Sequence, residues 1–599
     1  MAIQFAPPRA LARAEGRAGA ECDVDASPRR RRPRSPRFNV LTAFWLLIVA
    51  ILILPIALFL AVAFSPALLS QGPEWFTLSA FSTALTGHLL LGFVNSLVIG
   101  IVTALLAAVV GFALAWIVIR TDVPACGIWT GVVFALFLTP SYLIALGWER
   151  LLEPNGVLQT LGWDPTVARD IFYGPVGIVI VLTVKGIPFA FLAISNALRG
   201  LGHEYEDAVR VHGGGAVASM RVVVSLLAPA IWAALAIVFA ESVSDFGVAS
   251  TLANDSHFTV ATFELYTAVQ AFPVQFPVAS AISWVLLIFV VLALWAQRRA
   301  LKGRSYRVLG GRSRRALRRH LSPLQKLGVI TGMALLVVVA LGVPAFGAVS
   351  ASLIDGLGSY AGSHSWTIAN YARVITSPDL IAPLLYSMQA ATIAASVTTV
   401  LAVVCARLLA SGRTSLSSRL LDMVLLAAVA LPGIVFAAGY IFAYNLPLTN
   451  ALSIHLYGTT TLLVLAYIAT ALPSTSRLLV GSMSQIQDSM LHSARVHGSG
   501  AIFSWLSVVL PVISRPLLNA WLLTFTATLL ELPVSQLLAP PGEQPISVGI
   551  TATLSKYDFG GGTAMEVLAI VTALLVVGVA TTISRLATPR GWRTWGTAK

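Results

Sequence analysis

One polar segment occurs twice in this chain and carries residue types that could bind a metal ion or another protein. The two copies read Asp207-Ala208-Val209-Arg210-Val211-His212-Gly213 and Ser493-Ala494-Arg495-Val496-His497-Gly498. A single histidine in each copy is too few for a metal site, which needs several ligands. The recurrence of His212 and His497 beside a glycine instead favours two equivalent docking points for a partner protein, and we predict no metal site.

Four charged residues lie within or close to long apolar runs, namely Lys185, Glu241, Asp245 and Glu531. A charge inside a membrane is costly and is by default either functional or paired. Acidic groups at these places could receive a cation or contact a partner, and Lys185 could contact a solute. Ion pairing, snorkelling and solvation at a helix end are the structural alternatives. We predict these four as candidate residues of a translocation pathway.

The elements that position these residues must be membrane helices. Apolar residues make up 57% of the 599 residues and charged residues 11%, and the mean hydropathy is +0.84. A soluble fold of this composition would expose more apolar surface than water tolerates. The apolar runs are long enough to cross about 30 Å of hydrocarbon as helix, and they lack the alternation of barrel strands. We predict an all-α polytopic membrane protein with twelve spans near 39–64, 92–119, 127–148, 174–195, 222–248, 276–297, 327–350, 384–410, 421–443, 458–480, 508–532 and 565–584.

Basic residues mark one side of the membrane. With both termini on the same side, all but five of the 39 Lys and Arg fall on that side. By the positive-inside rule this side is cytoplasmic, which predicts a multi-pass protein of a bacterial inner membrane. The net charge of +14 then reflects topology and contact with anionic lipid, and nucleic-acid binding is not favoured. The five exceptions are Arg150, Arg169, Lys185, Arg373 and Lys556.

The duplication extends over both halves with an offset between about 285 and 292 residues. Each half has six spans, so the halves run in the same direction and form parallel repeats, which commonly leave a pathway at their interface. Equivalent positions include Ser96 with Ser387, Thr139-Pro140 with Leu431-Pro432, Gly147 with Gly439, Pro188 with Pro473, and Glu241 with Glu531. We predict a disordered Arg-rich cytoplasmic arm at 1–38, transmembrane domains at 39–298 and 326–590, a basic cytoplasmic linker at 299–325 and a cytoplasmic tail at 591–599.

Each copy of the polar segment lies between the fourth and fifth spans of its half, on the cytoplasmic side. A short helix should be stopped by Gly213-Gly214-Gly215 in the first copy and by Gly498-Ser499-Gly500 in the second. A second helix follows each bend. This predicts a compact knob, suited to insertion into the cleft of a partner.

These loops resemble the EAA loop of the permease subunits of ABC importers. The second copy keeps Gly498 and a Leu510-Pro511 ending, and the first keeps the start Asp207-Ala208-Val209. Two further segments, Glu241–Val248 with its Asp-Phe-Gly and Glu531–Leu538 with its Glu-Leu-Pro, resemble fused twelve-span permeases of the ferric-iron uptake type. The resemblance covers roughly residues 40–590.

The resemblance implies a type I importer permease that moves its substrate by alternating access. The substrate would be ferric iron, with thiamine, phosphonate, polyamine or an oxyanion as alternatives. A dimer of a cytoplasmic ATPase and an extracytoplasmic binding protein would be its partners. ATP and Mg would be bound by that ATPase, with no cofactor in this chain. The implied ATPase-docking residues are Glu206, Asp207, Ala208, His212, Gly213, Ser493, Ala494, His497 and Gly498.

Other classes of protein are less well supported by the sequence. A phosphate-binding loop needs a glycine before its lysine, and none of the five lysines has one, so this chain is not expected to be the ATPase. An ion-coupled secondary transporter could have twelve spans in parallel halves, but would not need two glycine-bent cytoplasmic loops. A membrane enzyme would need a cluster of His, Asp or Cys at one membrane face, and none is evident.

Overall fold

A computed structural model describes most of the chain and divides it into two compact units, Met1–Leu47 and Ile48–Lys599. Of the first unit only residues 40–47 are described, and they belong to the helix α1 (Val40–Ile48). The predicted arm at 1–38 and the tail at 591–599 lie outside the described residues, as does most of the linker. The structure describes 40–67, 71–154, 156–202, 204–301, 318–355, 365–410, 416–429, 431–451, 453, 455–486, 488–498 and 500–587.

Most of the described residues are helical, and no β-strand occurs among them. The helices of the first repeat that follow α1 are α2 (Leu54–Ala61), α3 (Ser79–Ala84), α4 (Gly87–Arg120), α5 (Cys126–Leu138), α6 (Ser141–Leu152), α7 (Val157–Thr160), α8 (Thr166–Phe172), α9 (Pro175–Gly200), α10 (Glu204–Val211), α11 (Ala216–Ser244), α12 (Ala261–Gln270) and α13 (Phe276–Leu301).

The second repeat follows a similar order of long helices, with one short helix, α20, where the first repeat has two, α7 and α8. Helices in both repeats are interrupted by π-helical turns. Its helices are α14 (Pro323–Val337), α15 (Val343–Ser352), α16 (Ala369–Thr376), α17 (Pro378–Ala410), α18 (Leu416–Val429), α19 (Gly433–Tyr444), α20 (Pro447–Ala451), α21 (Thr460–Ser484), α22 (Asp488–Val496), α23 (Ala501–Ser504), α24 (Leu510–Leu529), α25 (Pro533–Leu538), α26 (Ile546–Ser555) and α27 (Phe559–Ala587). The π-helical turns are Val49–Ile53, Ala249–Ala253, Val338–Gly342 and Trp505–Val509.

The predicted all-α membrane fold is confirmed, but the third and ninth spans are not continuous helices. Among the described residues, 10 helices are long and apolar enough to cross a membrane, or up to 12 if each of two bent pairs counts as one span. The bent pairs are α5 with α6 at 94° and α18 with α19 at 106°. Pro140 and Pro432 immediately precede the second helix of each pair, at its N-cap position. Proline lacks the N–H that would continue the helix and disfavours helical backbone in the residue before it, which explains both breaks.

Equivalent helices make equivalent contacts within each repeat. Helix α4 packs against α9 and α11, and its counterpart α17 packs against α21 and α24. Small residues allow this close approach, since α17 buries Ala390, Ala391, Ala394 and Ala395. The predicted equivalence of Ser96 and Ser387 is also confirmed. Their hydroxyls accept hydrogen bonds from the first backbone N–H groups of α12 (2.9 Å) and α26 (2.7 Å).

The first span of each repeat packs against a helix of the other repeat. Helix α6 of the first repeat packs against α15 of the second, and α19 of the second packs against α2 of the first. A Cβ atom added at Gly147 would lie 2.7 Å from Pro344 Cα, and one added at Gly439 would lie 3.1 Å from Pro55 O. Buried Tyr440 donates a hydrogen bond to Ile51 O at 2.6 Å. We call these two crossings the reciprocal interlock.

The last described residues of the predicted linker, together with Lys326 of α14, bind the loop between α4 and α5. Arg319 N donates to Arg120 O at 2.8 Å, and Leu321 N donates to Asp122 Oδ1 at 3.0 Å. Lys326 Nζ lies 2.7 Å from Asp122 Oδ2, and His320 Nδ1 lies 3.0 Å from the same oxygen. The hydrogen bond from Lys326 and that from the Leu321 amide hold the pKa of Asp122 well below its usual range.

Removing the Asp122 carboxylate should free this segment. In Asp122→Asn we expect the Leu321 amide to exchange hydrogen faster, because its acceptor loses its charge. Hydrogen exchange measured by mass spectrometry checks this, with Asp379→Asn at the exposed start of α17 as the control. A lowered carboxyl pKa stabilises the contact above the ordinary aspartate value of about 4 and loses this effect only as the pH falls through the lowered pKa. Protection should therefore not change between about pH 7 and about pH 5, and a loss within that window would contradict this assignment.

Candidate functional site

Both copies of the repeated polar segment form a short helix followed by a glycine bend. Gly213 has φ +76 and Gly498 has φ +84, a region that glycine adopts without cost. In the first copy Gly213 N donates to Arg210 O at 2.9 Å and Gly214 N donates to Val209 O at 2.8 Å. These bonds satisfy carbonyls left free at the end of α10. The predicted helix and bend are therefore present in both loops, and their docking role remains a prediction.

The recurring histidines cap the helix that precedes each bend. His212 Nδ1 lies 2.9 Å from Ala208 O, and His497 Nδ1 lies 2.8 Å from Ser493 O. An N–H at Nδ1 would donate to the carbonyl in each case, four residues earlier in its helix. Both rings are exposed, so each histidine can hold its loop in shape and still meet a partner.

An exposed valine stands beside each histidine and was not among the predicted docking residues. Val211 is 83% exposed and Val496 is 84% exposed. Two equivalent apolar side chains with equal exposure are unusual on a polar loop and suit burial in a partner. The sequence signal was their presence in both copies of the segment. Of the predicted docking residues, Ala208 and Ser493 are exposed, whereas Asp207 and Ala494 are partly buried.

Glu206 lies at the base of the first loop and not at its exposed tip. Its Oε1 is 3.7 Å from Arg120 Nη1, and its side chain is only 20% exposed. Arg120 also donates to Leu201 O at 2.8 Å, so its guanidinium joins the end of α4 both to α10 and to the end of α9. At the equivalent place in the second loop, buried Leu491 stands in α22. The two loops are thus anchored differently, by an ion pair in the first and by an apolar side chain in the second.

Lys185 is bound at the break between α5 and α6. Its Nζ donates to Phe137 O and to Thr139 O, both at 3.0 Å. These carbonyls lie at the C-terminal end of α5, where backbone acceptors without a partner in the helix and the helix dipole favour a cation. The counterpart Thr470 bonds only to carbonyls of its own helix, at Ala466 and Tyr467. Lys185 therefore has a structural role in the first repeat, and contact with a solute remains a prediction.

Asp245 and Glu531 are equivalent in the structure. Asp245 Oδ1 accepts from Val248 N at 2.8 Å, and the Glu531 carboxylate accepts from Val534 N at 2.9 Å. Each carboxylate thereby caps the start of the helical segment that follows its span.

The backbone carbonyls of the two acids are also matched. Asp245 O accepts from the hydroxyl of Thr262, and Glu531 O accepts from that of Ser547. The predicted match of Glu241 with Glu531 is therefore wrong. Glu241 lies one helical turn earlier and is exposed. Residue identity favoured the two glutamates, whereas hydrogen bonding pairs a glutamate with an aspartate.

A cavity of about 760 Å³ lies between the two repeats, at the face opposite the docking loops. The 29-residue helix α11 separates the first loop from this cavity, a length of about 40 Å at 1.5 Å per residue. We call it the outer cavity. Side chains of both repeats line it, namely Leu146, Glu149, Arg150, Glu153, Arg169, Tyr173, Ser250, Thr251, Asn254, Asp255, His257, Gln536, Val548, Thr551, Ala552, Leu554, Ser555, Tyr557 and Phe559.

A buried group of charges forms one wall of the outer cavity. Arg150 Nη2 lies 3.3 Å from Glu153 Oε2 and 3.8 Å from Glu149 Oε2, and its guanidinium carbon is 4.5 Å from the centre of the Phe559 ring. Glu149 and Glu566 are each 1% exposed. Neither glutamate was among the predicted pathway residues. The sequence signal was a charge next to a predicted span for Glu149, which follows 127–148, and within one for Glu566, in 565–584.

Acidic residues in the described part of the chain do not form a direct metal site. No group of at least three His, Cys, Asp or Glu side chains among these residues could hold a metal ion. The carboxylates of the outer cavity are spread along its wall and not gathered around one point. Any metal that entered this cavity would need to bring most of its own ligands.

Known proteins with sequences similar to this chain belong to one class. The chain is homologous to permease subunits of ABC transporters, which confirms the resemblance predicted from its loops. No family model matches the chain. Similar proteins include FbpB 1 of Haemophilus influenzae, named as a ferric transport system permease, with 24% identity over 432 residues, 69% of this chain and 65% of that relative. FbpB of Actinobacillus pleuropneumoniae, also a ferric transport system permease, is 22% identical over 481 residues, 78% of this chain and 67% of that protein.

A shorter relative matches only part of the chain. The sulfate transport system permease CysT of Escherichia coli is 27% identical over 196 residues, which is 33% of this chain but 70% of that protein. A match that takes up most of the relative and a third of this chain is what a protein with a single repeat would give. The chain spans about two thirds of the length of the ferric relatives.

Proposed function

We propose that this chain is the membrane-spanning permease of an ABC importer and forms its translocation pathway. The carrying observation is the pair of helix and glycine-bend loops, each with an exposed histidine and an exposed valine. If the bent pair of α18 and α19 counts as one span, six spans separate α10 from α22 and both loops lie at one membrane face. The bias of Lys and Arg supports a cytoplasmic position for that face, with both termini on the same side of a bacterial inner membrane.

The two loops would receive the two subunits of a cytoplasmic ATPase. ATP hydrolysis belongs to that separate subunit, and an extracytoplasmic binding protein would deliver the substrate to the outer cavity. Closure of the ATPase on ATP would move the loops, and the helices α11 and α24 that follow them, between two arrangements of the repeats. ATP can drive this change only if the docked subunits favour one arrangement over the other.

Ferric iron is the substrate that we propose for this importer. Two relatives that match most of the chain are named as ferric transport permeases, and acidic side chains prevail along the pathway and outer cavity. Sulfate is the second candidate, because CysT is named as a sulfate transport permease. An oxyanion would meet three acidic side chains in the cavity, Glu149, Glu153 and Asp255, against the two arginines that line it, and this balance disfavours it.

Uptake into vesicles tests the proposed function. Vesicles would contain this chain, its ATPase and its binding protein, and uptake of radioactive iron would be measured with and without internal ATP. We expect uptake to require ATP and to stop with a hydrolysis-dead ATPase. Uptake that persists with the inactive ATPase, or that an uncoupler alone abolishes, would show an ion-coupled secondary transporter instead.

The exposed valines provide a sharper test of docking. Val211→Asp and Val496→Asp should each reduce co-purification of the ATPase, because each puts a charge where an apolar side chain would be buried. The loss should be about tenfold or more in affinity, the effect of an interaction of about 1.4 kcal/mol. Val167→Asp is the matched control, since Val167 is 74% exposed but lies in α8, away from the loops. Equal retention of the ATPase by all three variants would contradict the docking role.

A further inference from the structure

The outer cavity contains buried polar atoms that have no hydrogen-bond partner. Both carboxylate oxygens of Glu149 are in this state, as are Arg150 Nε, Arg150 Nη1 and the amide oxygen of Gln536. Glu149 is 1% exposed and Arg150 is 5% exposed, and both line the cavity. A buried polar group without a partner costs free energy, about 1 to 3 kcal/mol and more when it is charged. Such atoms in a cavity wall mark a place where a ligand can supply the missing bonds.

The charges around the cavity favour a cation. Three acidic side chains line it, from Glu149, Glu153 and Asp255, against the two guanidinium groups of Arg150 and Arg169 and the imidazole of His257. Behind the wall lies Glu566, whose Oε2 also lacks a partner.

Both arginines are already engaged by neighbouring groups. Arg150 is held by Glu153 and by the Phe559 ring, and Arg169 lies 5.0 Å from the centre of the Tyr173 ring. Glu149 is less engaged, because its closest charged partner is 3.8 Å away. Glu149 is therefore the acidic side chain of the cavity wall that is most available to a ligand.

The unpartnered donors of Arg150 restrict the class of cation further. A bare ion offers no acceptor to Arg150 Nε and Nη1, whereas a cation that carries water or chelating oxygens offers several. The spread of the carboxylates also disfavours direct coordination, which needs ligands gathered around one point. A volume of about 760 Å³ is ample for a metal ion together with such a shell.

We propose that the outer cavity binds a metal cation within its own shell of water or chelating oxygens. Glu149 is the carboxylate that accepts hydrogen bonds from the shell, and Arg150 donates to its oxygens. The site lies between the repeats, where a change in their arrangement would alter it. This proposal rests on the importer function and defines the form in which the metal cargo enters the pathway.

Terbium luminescence tests the site on the purified full-length chain without ATPase. Tb³⁺ is a hard trivalent cation like Fe³⁺, and nearby tyrosines excite its emission; Tyr173 and Tyr557 line the cavity. We expect saturable emission, with an affinity about tenfold lower in Glu149→Gln, equivalent to about 1.4 kcal/mol. Glu74→Gln, an exposed carboxylate outside the cavity, should bind as the unchanged protein does. Emission lifetimes in light and heavy water should show that most of the bound water is retained.

Each other outcome of this experiment overturns part of the proposal. No saturable emission, or an equal loss in Glu74→Gln, would exclude the site. Lifetimes of a largely dehydrated ion would exclude recognition through the shell. If Glu149→Gln does not purify as a single species, Glu153→Gln replaces it, because Glu153 is 24% exposed and its loss should weaken binding in the same direction.

Transport separates this proposal from the importer function. Terbium binding without ATP-dependent uptake would leave the site in place and reject the importer function. ATP-dependent uptake that does not change in Glu149→Gln would keep the importer function and remove the site from its pathway.

Discussion

Replacing Gly147 by alanine should prevent the two repeats from packing and leave little monodisperse protein. An added Cβ would lie 2.7 Å from Pro344 Cα and 2.8 Å from its carbonyl carbon, closer than real Cβ contacts allow. These are backbone atoms at the start of α15, so no side chain can rotate away. Overpacking of a core typically costs about 1 to 3 kcal/mol, and a clash with backbone should reach or exceed the upper value. Gel-filtration profiles and thermal unfolding of the solubilised protein measure the effect.

Alanine substitutions at two other glycines provide the comparison for the stability of Gly147→Ala. Gly439→Ala places a Cβ 3.1 Å from Pro55 O and should lower the melting temperature only moderately. Gly131→Ala, in α5, has no atom within 4 Å of the new Cβ and should stabilise its helix by about 0.5 to 1 kcal/mol. The expected order of stability is therefore Gly131→Ala, then Gly439→Ala, then Gly147→Ala. A Gly147→Ala protein as stable as Gly131→Ala would show that the first crossing of the reciprocal interlock is not close-packed in the membrane.

Replacing Gly213 or Gly498 by valine should abolish ATPase binding at that loop while membrane insertion continues. Both glycines have positive φ, which costs an ordinary residue about 1 to 2 kcal/mol and a β-branched residue more. Neither position has an atom within 4 Å of an added Cβ, so backbone strain alone would change the bend. The histidine and valine of the loop would then lose their placement. Co-purification with the ATPase and ATP-dependent uptake are the measurements.

Each loop offers a matched control for that experiment. Gly215 and Gly500 follow the bends, have no atom within 4 Å of an added Cβ, and have no positive φ. Gly215→Val and Gly500→Val should therefore keep most of the ATPase binding. Similar losses in bend and control variants would attribute the effect to bulk on the loop and contradict the strain argument.

Local sequence patterns predicted the helices and loops well. The length of the apolar runs predicted the positions of the spans, because a helix satisfies its own backbone hydrogen bonds in lipid. The repeated glycines predicted the positions of both bends. Proline marked where the third and ninth spans break, although those spans were predicted as continuous. The pattern of apolar residues does not change across Thr139-Pro140, so hydropathy alone could not show a 94° bend.

Contacts between distant segments could not be predicted in this way. Nothing in the vicinity of Gly147 indicates that Pro344 will cross it, since that contact depends on how two whole repeats pack. The role of Glu149 could not be predicted from local sequence either, because it depends on the cavity that both repeats enclose. Glu531 was paired with Glu241 instead of Asp245 for a related reason. A drift of four residues between repeats is invisible until hydrogen bonds define the register.

The reciprocal interlock has a consequence for biogenesis. Tyr440 and Ile51, which it brings together, are 389 residues apart in the chain. During synthesis the first span therefore enters the bilayer long before its partner helix leaves the ribosome. Each opening helix also contacts the last helix of its own repeat, α2 with α13 and α15 with α27, but the face that meets the other repeat lacks its partner at this stage. Until that partner is made, lipid or the insertion machinery must cover this face. Joining both repeats in one polypeptide ensures that the missing partner always arrives, in equal amount and in the same patch of membrane.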